Sequence, residues 1–283
     1  MSVLAAPQRA RTRTPRVALP LITTVMVIVV FTLPMLWILL KSFGPEDEIF
    51  SAALLPSSFH PENYARAVET GLLVSYTLST IAISFFTCLI VLPLGFMAGY
   101  GLARFSFRGR GLVLFLFMFS LTIPGLVNLL AIYQVFSLAQ LINNPAGLVI
   151  VYAASNLPLA TWLMRAFIQS LPSELEQAAL VDGCTRGGAI LRIVVPLTSP
   201  GLAAVAVLVV VNVFQEFIVA QTLISTRGVG VVSQGLRAMQ GQFDLDYTSL
   251  AAGSILVSII PVLLFLLLQK QFIAGMTTGA TTG

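Results

Sequence analysis

The chain has 283 residues, 57% hydrophobic and 9% charged, with a mean hydropathy of +0.96 and a formal net charge of +4. A soluble domain carries about a quarter charged residues, so this composition excludes an ordinary water-soluble protein and indicates an integral membrane protein. The basic residues are scattered between apolar runs without an aromatic-basic patch, which argues against a nucleic-acid partner.

Crossing about 30 Å of hydrocarbon takes about 20 helical residues. Six apolar runs meet that length: Val17 to Leu40, Leu72 to Tyr100, Leu112 to Leu138, Ala146 to Ile168, Pro200 to Ile224 and Tyr247 to Phe272. The expected fold is all-α, a polytopic membrane protein of six spans with a short helix beside the membrane. Arg9, Arg11, Arg13 and Arg16 precede the first run, which is too long for a signal-peptide core and lacks a small-residue cleavage site, so it reads as a signal-anchor helix. Pro34, Pro93, Pro124, Pro158 and Pro261 interrupt the runs and predict kinks. Cys88 lies in an apolar run and Cys184 in a polar stretch, a placement that suits neither a disulfide nor a metal site.

The loops assign the orientation. Four N-terminal arginines, Arg104, Arg108, Arg110, Arg165, Arg186, Arg192 and Lys270 fall on one side; Lys41, Arg66, Arg227 and Arg237 fall on the other. The positive-inside rule then puts both termini in the cytoplasm. Acids run the other way: of those in the loops, only Glu174, Glu176 and Asp182 are cytoplasmic, all within PSELEQAALVDG, residues 172–183.

That stretch reads as a short helix. Pro172 suits its start, Ser173 with Glu176 forms a capping-box pattern, and Gly183 supplies a left-handed stop. Ala178 and Ala179 give it a shaved face that another backbone can approach. Two readings stand: a helix resting on headgroups, and a docking helix for a basic protein partner. Its acids fit the second better, because an anionic cytoplasmic surface recruits Lys and Arg.

The fifth run contains Glu216, a carboxylate that costs about 2.5–3.5 kcal/mol to insert and so should face protein or water. Asn212, Gln215 and Gln221 accompany it, with Phe214 and Phe217 alongside; Asn128 in the third run has the same character. These residues read equally as a hydrogen-bonding and stacking path for a sugar and as a polar clamp between helices.

Ala178-Ala179, Asp182-Gly183, Ile193 and Pro196 fall at the spacing of the EAA loop of ATP-binding-cassette importer permeases, in its sugar-importer form. Leu157-Pro158-Leu159, Leu163-Met164-Arg165, Asn63-Tyr64, Phe214-Gln215-Glu216-Phe217 and the ending Gly275-Met276-Thr277-Thr278-Gly279-Ala280 extend the likeness. The chain resembles the carbohydrate permeases of maltose-type, binding-protein-dependent importers. The resemblance implies a transmembrane permease subunit in a prokaryotic inner membrane, moving a disaccharide or related carbohydrate. It implies three kinds of partner: a second homologous permease, an ABC ATPase dimer, and an extracytoplasmic solute-binding protein or lipoprotein. ATP and Mg would be bound by the ATPase, and this chain would bind no cofactor of its own. Residues 1–16 form the basic N-terminus, 17–272 the permease domain with its coupling loop at 172–196, and 273–283 a tail that reads either as a frayed end or as an insert between the ATPase subunits.

The same resemblance makes Glu174, Glu176, Gln177, Ala178, Ala179, Asp182 and Gly183 the coupling residues. The motif's usual glutamate falls on Gln177, with Glu176 immediately before it, so either residue is placed to meet the ATPase. An enzyme is disfavoured: the chain has no GxxxxGK[ST], no HExxH and no nucleophile elbow, and its one histidine, His60, sits in an external loop. An ion-driven transporter or channel with Glu216 as its coupling carboxylate is the other rival.

Overall fold

The structure, a computed structural model, describes residues 18–70, 72–123, 125–240 and 246–280. Their regular structure is helical: α1 (Ala18–Lys41), α2 (Glu62–Thr70), α3 (Leu73–Arg104), α4 (Arg110–Thr122), α5 (Leu129–Leu138), α6 (Pro145–Gln169), α7 (Glu174–Val181), α8 (Arg186–Ala189), α9 (Val195–Leu197), α10 (Ser199–Gln215), α11 (Ile218–Leu223), α12 (Val232–Ala238) and α13 (Tyr247–Ala280).

Six uninterrupted spans are not what forms. Among the described residues α1, α3, α6 and α13 are long and apolar enough to cross a membrane unbroken. The third expected span is split into α4, a 3₁₀ turn (Gly125–Asn128) and α5. The fifth is split into α10 and α11. At the first break Ile123 is extended, at φ −76° and ψ 119°, as a residue before proline prefers. The second break contains no proline. Conversely, Pro34, Pro93, Pro158 and Pro261 lie inside continuous helices, so proline marks only one of the two breaks.

The centre is α3 laid along α6. Gly95 faces Ala160, and a Cβ on Gly99 would stand 2.8 Å from both the Arg165 nitrogen and Met164 Cβ. The two helices therefore run side by side in one direction with their backbones nearly touching, the close approach that small residues permit in lipid. α10 closes on α6 where Gly201 meets the Phe167 ring, and α13 packs on α10. One buried cluster gathers Val91, Phe96, Ala160, Met164, Ile168, Val205 and Val209; another, toward the opposite end, gathers Ile83, Leu148, Tyr152, Val213 and Leu223. α1 stands apart, its apolar side chains exposed and its helix touching α13.

Between α6 and α10 the chain leaves the bundle. It forms α7, α8, a π-helical turn (Ile190–Val194) and α9, then bends by 68° into α10. Pro196 has no N–H to continue the ladder at the end of the π turn. The Gly-Thr stretch expected as a separate tail begins as part of α13, whose backbone stays helical to Ala280. The four N-terminal arginines and residues 281–283 lie outside the described residues.

Candidate functional site

Two places in the fold carry the residues singled out above: α7, and the break between α10 and α11.

One end of α7, its stop, is set locally in the expected way; its start is not. Gly183 takes φ +86°, the Cys184 N–H donates to the Ala179 carbonyl at 2.9 Å, and the Gly183 N–H donates to the Leu180 carbonyl at 3.1 Å. These are the two bonds of a Schellman stop, and glycine is required there because the backbone is left-handed. At the start, Ser173 is itself in helical conformation and its hydroxyl caps nothing, so the Ser173/Glu176 capping box does not form. Glu176 is engaged elsewhere. Its Oε1 accepts from Arg104 Nε at 2.6 Å and its Oε2 from the Tyr100 hydroxyl at 2.7 Å. An ionised donor and a hydroxyl together satisfy both carboxylate oxygens, where the capping box would offer one backbone N–H.

The helix thus has two distinct faces. Glu176 and Ala179 turn inward; the Glu176 side chain is 13% exposed and Ala179 is buried. Glu174, Gln177, Ala178 and Val181 recur at the three- and four-residue spacing of one helical face, and all four are exposed. The paired alanines do not share a face as expected: Ala178 looks out and Ala179 packs in. Asp182 and Gly183 are exposed at the tip. Val181, which composition did not single out, is 88% exposed, an apolar knob at the end of the outward face. A cleft of about 220 Å³ opens behind α7, between Glu176, Leu180 and the end of α3 at Arg104 and Phe105. The Arg186 guanidinium lies over the Phe105 ring, 5.8 Å from its centre.

At the second site Glu216 makes the break. Its backbone is extended, at φ −71° and ψ 136°, and its carboxylate turns forward to cap α11: Oε1 accepts from the Val219 N–H at 2.8 Å and Oε2 from the Ala220 N–H at 3.0 Å. The Tyr152 hydroxyl on α6 donates to Oε2 at 2.6 Å. Asn212 donates to Asn156 Oδ1 at 2.8 Å, and Asn156 donates in turn to the Tyr152 carbonyl at 2.8 Å. Glu216 and Asn212 are therefore tied to α6 through Tyr152 and Asn156, two residues that sequence reasoning passed over. Nearby, Gln234 donates to Gln221 Oε1 at 3.4 Å and to the Ile224 carbonyl at 3.0 Å.

The other expected path residues disperse. Phe214 is buried against Leu73, Tyr76, Val232 and Val257, so it offers no open stacking face. Gln215 is exposed and edges a largely apolar groove between α10 and α13, while Phe217 is half-buried at the break. Asn128 is exposed at the other broken span, outside the Glu216 hydrogen-bond set. The segment after α11 folds inward as α12: Val232 and Gln234 are buried, the Val232 N–H donates to the Thr80 hydroxyl at 2.8 Å, and the Ser233 hydroxyl donates to the Glu216 carbonyl. His60 stays on the surface between Ser58 and Glu62.

Residues 91–277, which hold both sites, match the family described as binding-protein-dependent transport system inner membrane component. The chain belongs to this family. Among curated relatives of this transport component, the probable ABC transporter permease protein YurM of Bacillus subtilis is 33% identical over 88% of this chain and 83% of its own length. The diacetylchitobiose uptake system permease protein NgcG of Streptomyces coelicolor is 33% identical over 93% and 87%, and the trehalose transport system permease protein SugB of Mycobacterium tuberculosis 32% over 89% and 92%. In fold the component is similar to a chain of a bacterial ABC transporter involved in the import of the acidic polysaccharide alginate, with a TM-score of 0.73, 19% identity, and coverage of 94% of this chain and 99% of that one. It is also similar to a chain of a bacterial alginate ABC transporter in complex with alginate pentasaccharide-bound periplasmic protein, with a TM-score of 0.67, 16% identity, and coverage of 89% and 91%.

In this transport component Arg104 counted in the sequence only as a topology charge. A signal for its second role was present: it ends a span and follows an aromatic residue, Tyr100, by one helical turn, so both reach the same side.

Proposed function

We propose that this chain is one membrane permease of an ATP-driven importer of a disaccharide or related carbohydrate, and that α7 is the helix on which a partner ATPase acts. The observation that carries the reading is α7 itself: a helix outside the bundle with a glycine stop, small and polar residues and the 88%-exposed Val181 on its outward face, and its other face tied down. The relatives named for trehalose and diacetylchitobiose uptake support the substrate class. The complex of a similar permease fold with a periplasmic protein supports an extracytoplasmic binding protein as a further partner. With α7 in the cytoplasm, both termini are cytoplasmic and the membrane is the inner membrane of a prokaryote.

In this reading the ATPase dimer binds ATP and Mg, and its closure displaces α7. Gln177, beside Ala178 and Val181, supplies a neutral hydrogen bond where the motif usually has a carboxylate; Glu174 and Asp182 flank it with charge. A second homologous permease completes the path. The polar residues Asn212, Gln215, Glu216 and Asn128, with the aromatic Phe217, lie at the broken spans, where irregular backbone in a membrane is tolerated against protein or water. Phe214 belongs to the core. Glu216 as an ion-coupling carboxylate is the less favoured reading, because both of its carboxylate oxygens are taken up in capping α11 and tying it to Tyr152 on α6.

The test is affinity purification of the full chain from its own membranes in mild detergent, beside Ala178→Trp and Val181→Asp. The wild type brings an ABC ATPase and a second permease; each variant keeps the permease and loses the ATPase. A wild type that purifies without an ATPase overturns the reading.

A further inference from the structure

The chain ties α7 covalently to α6 on one side and, through α8 and α9, to α10 on the other. It has no such link to α3, and α7 packs mainly on α8 and the π turn. Its tie to α3 is made by long side chains. Glu176 reaches Arg104 and Tyr100, both on the last turns of α3 and 72 and 76 residues earlier in sequence, and the same Arg104 donates through Nη2 to the Leu171 carbonyl at 3.0 Å. Arg104 therefore holds both α7 and the chain that leads into it. The pair is shielded, with side-chain exposures of 15% and 13%, and each carboxylate oxygen has a donor. Ion pairs of this kind are poor sources of net stability but are demanding in geometry, which suits a part that must hold a fixed angle.

α3 in turn cannot slide freely on α6. Gly95 and Gly99 bring the backbones so close that a single added Cβ collides with Ala160, Met164 or Arg165. The backbone bends by 68° where α9 meets α10, on the far side of α7, and no close glycine contact of the α3–α6 kind crosses that bend among those described.

We propose that Glu176 is a positioning residue that works inward: with Arg104 and Tyr100 it pins the docking helix to α3, so that a displacement of α7 carries α3 and α6 as one body while α10 turns about its bend. The proposal rests on α7 being the ATPase-facing helix. It assigns Gln177, not Glu176, to the partner.

The test labels the native Cys184, just past α7, and Met97→Cys on the exposed face of α3, in a Cys88→Ser background, and measures the spin–spin distance distribution of the full chain in lipid nanodiscs. With the pin intact the distribution is narrow. Glu176→Gln and Arg104→Gln each shift it to longer and broader separations, and the exchange Arg104→Glu with Glu176→Arg narrows it part of the way back, the bond to the Leu171 carbonyl being lost, a rescue that a general folding defect does not give. In parallel, Glu176→Gln still recovers the ATPase in the pull-down that Ala178→Trp loses. A distribution unchanged by Glu176→Gln overturns the pin, and so does loss of the ATPase from that variant with the distribution unchanged, which would place Glu176 on the docking face. Failure of the importer reading is separate: the wild type then brings no ATPase, whatever the distances do.

Discussion

Single carboxylates do different work here according to what surrounds them. Glu216 accepts from one hydroxyl and two backbone N–H groups, so Glu216→Ala leaves three donors unpaired. With each unsatisfied group costing about 1–3 kcal/mol before water enters, the expected loss is about 3 kcal/mol or more, seen as a lower unfolding temperature in detergent; Glu216→Gln loses less. Asp246 plays a similar part outside the membrane, accepting from the Ser249 N–H at 2.9 Å and the Thr248 hydroxyl at 2.7 Å at the start of α13, with Arg66 at 3.3 Å. Burial opposes its ionisation, but hydrogen bonds from Ser249 and Thr248 and the charge of Arg66 together hold its carboxyl below the usual carboxylate value. A lowered folded-state pKa stabilises in full above the unfolded value of about 3.9 and loses that contribution as pH falls through the folded value. Asp246→Ala is thus expected to cost about 1 kcal/mol at neutral pH, a gap that narrows in melts recorded at increasingly acid pH.

At the scale of elements, the packing of α3 on α6 depends on glycine at specific turns. Gly99→Leu drives a side chain into Met164 and the Arg165 backbone and is expected to destabilise by about 1–3 kcal/mol, whereas Gly101→Ala, with nothing within 4 Å of the added carbon, is expected to be neutral or slightly stabilising. Comparing the two in thermal unfolding separates packing from helix propensity, which improves in both. The breaks show a different balance. Proline inside α3, α6 and α13 is absorbed into continuous helix, while α10 ends at a glutamate whose side chain satisfies the next helix's free N–H groups. A helix in lipid stops where another partner takes over its hydrogen bonds, and sequence shows the missing donor of a proline more readily than the supplied acceptor of a glutamate.

Across the whole molecule, the two broken spans are held together at the end away from α7. The Asn143 N–H donates to the Leu223 carbonyl at 2.8 Å, and Asn143 Oδ1 accepts from the Ser225 N–H at 2.7 Å and its hydroxyl at 2.9 Å. Asn143 is also left-handed, at φ +58°, a conformation asparagine tolerates better than most residues. Asn143→Ala should loosen α5 from α11 at a cost of about 1–3 kcal/mol, read as faster hydrogen exchange in both segments while the α3–α6 core is unchanged. α12 seals the same end, its Val232 N–H donating to Thr80 and its Gln234 side chain to the Ile224 carbonyl, while α7 lies at the other end, tied down on one face only.

The sequence alone determined that the chain is helical and embedded in a membrane, because hydropathy and helix length are local sums. It determined where α7 stops, because a left-handed glycine and its two hydrogen bonds involve only neighbouring residues. It also flagged Glu216, because a charge in an apolar run is anomalous wherever the rest of the chain goes. Tertiary structure alone decided which of Glu176 and Gln177 faces outward, which alanine is buried, that Phe214 is core and that the fifth span is interrupted. Two of those rest on partners far along the chain, Arg104 for Glu176 and Leu73 and Val257 for Phe214, and the capping of α11 by Glu216 is joined by Tyr152 on α6. No periodicity reports such pairings, since they exist only once α3, α6 and α10 have been brought side by side.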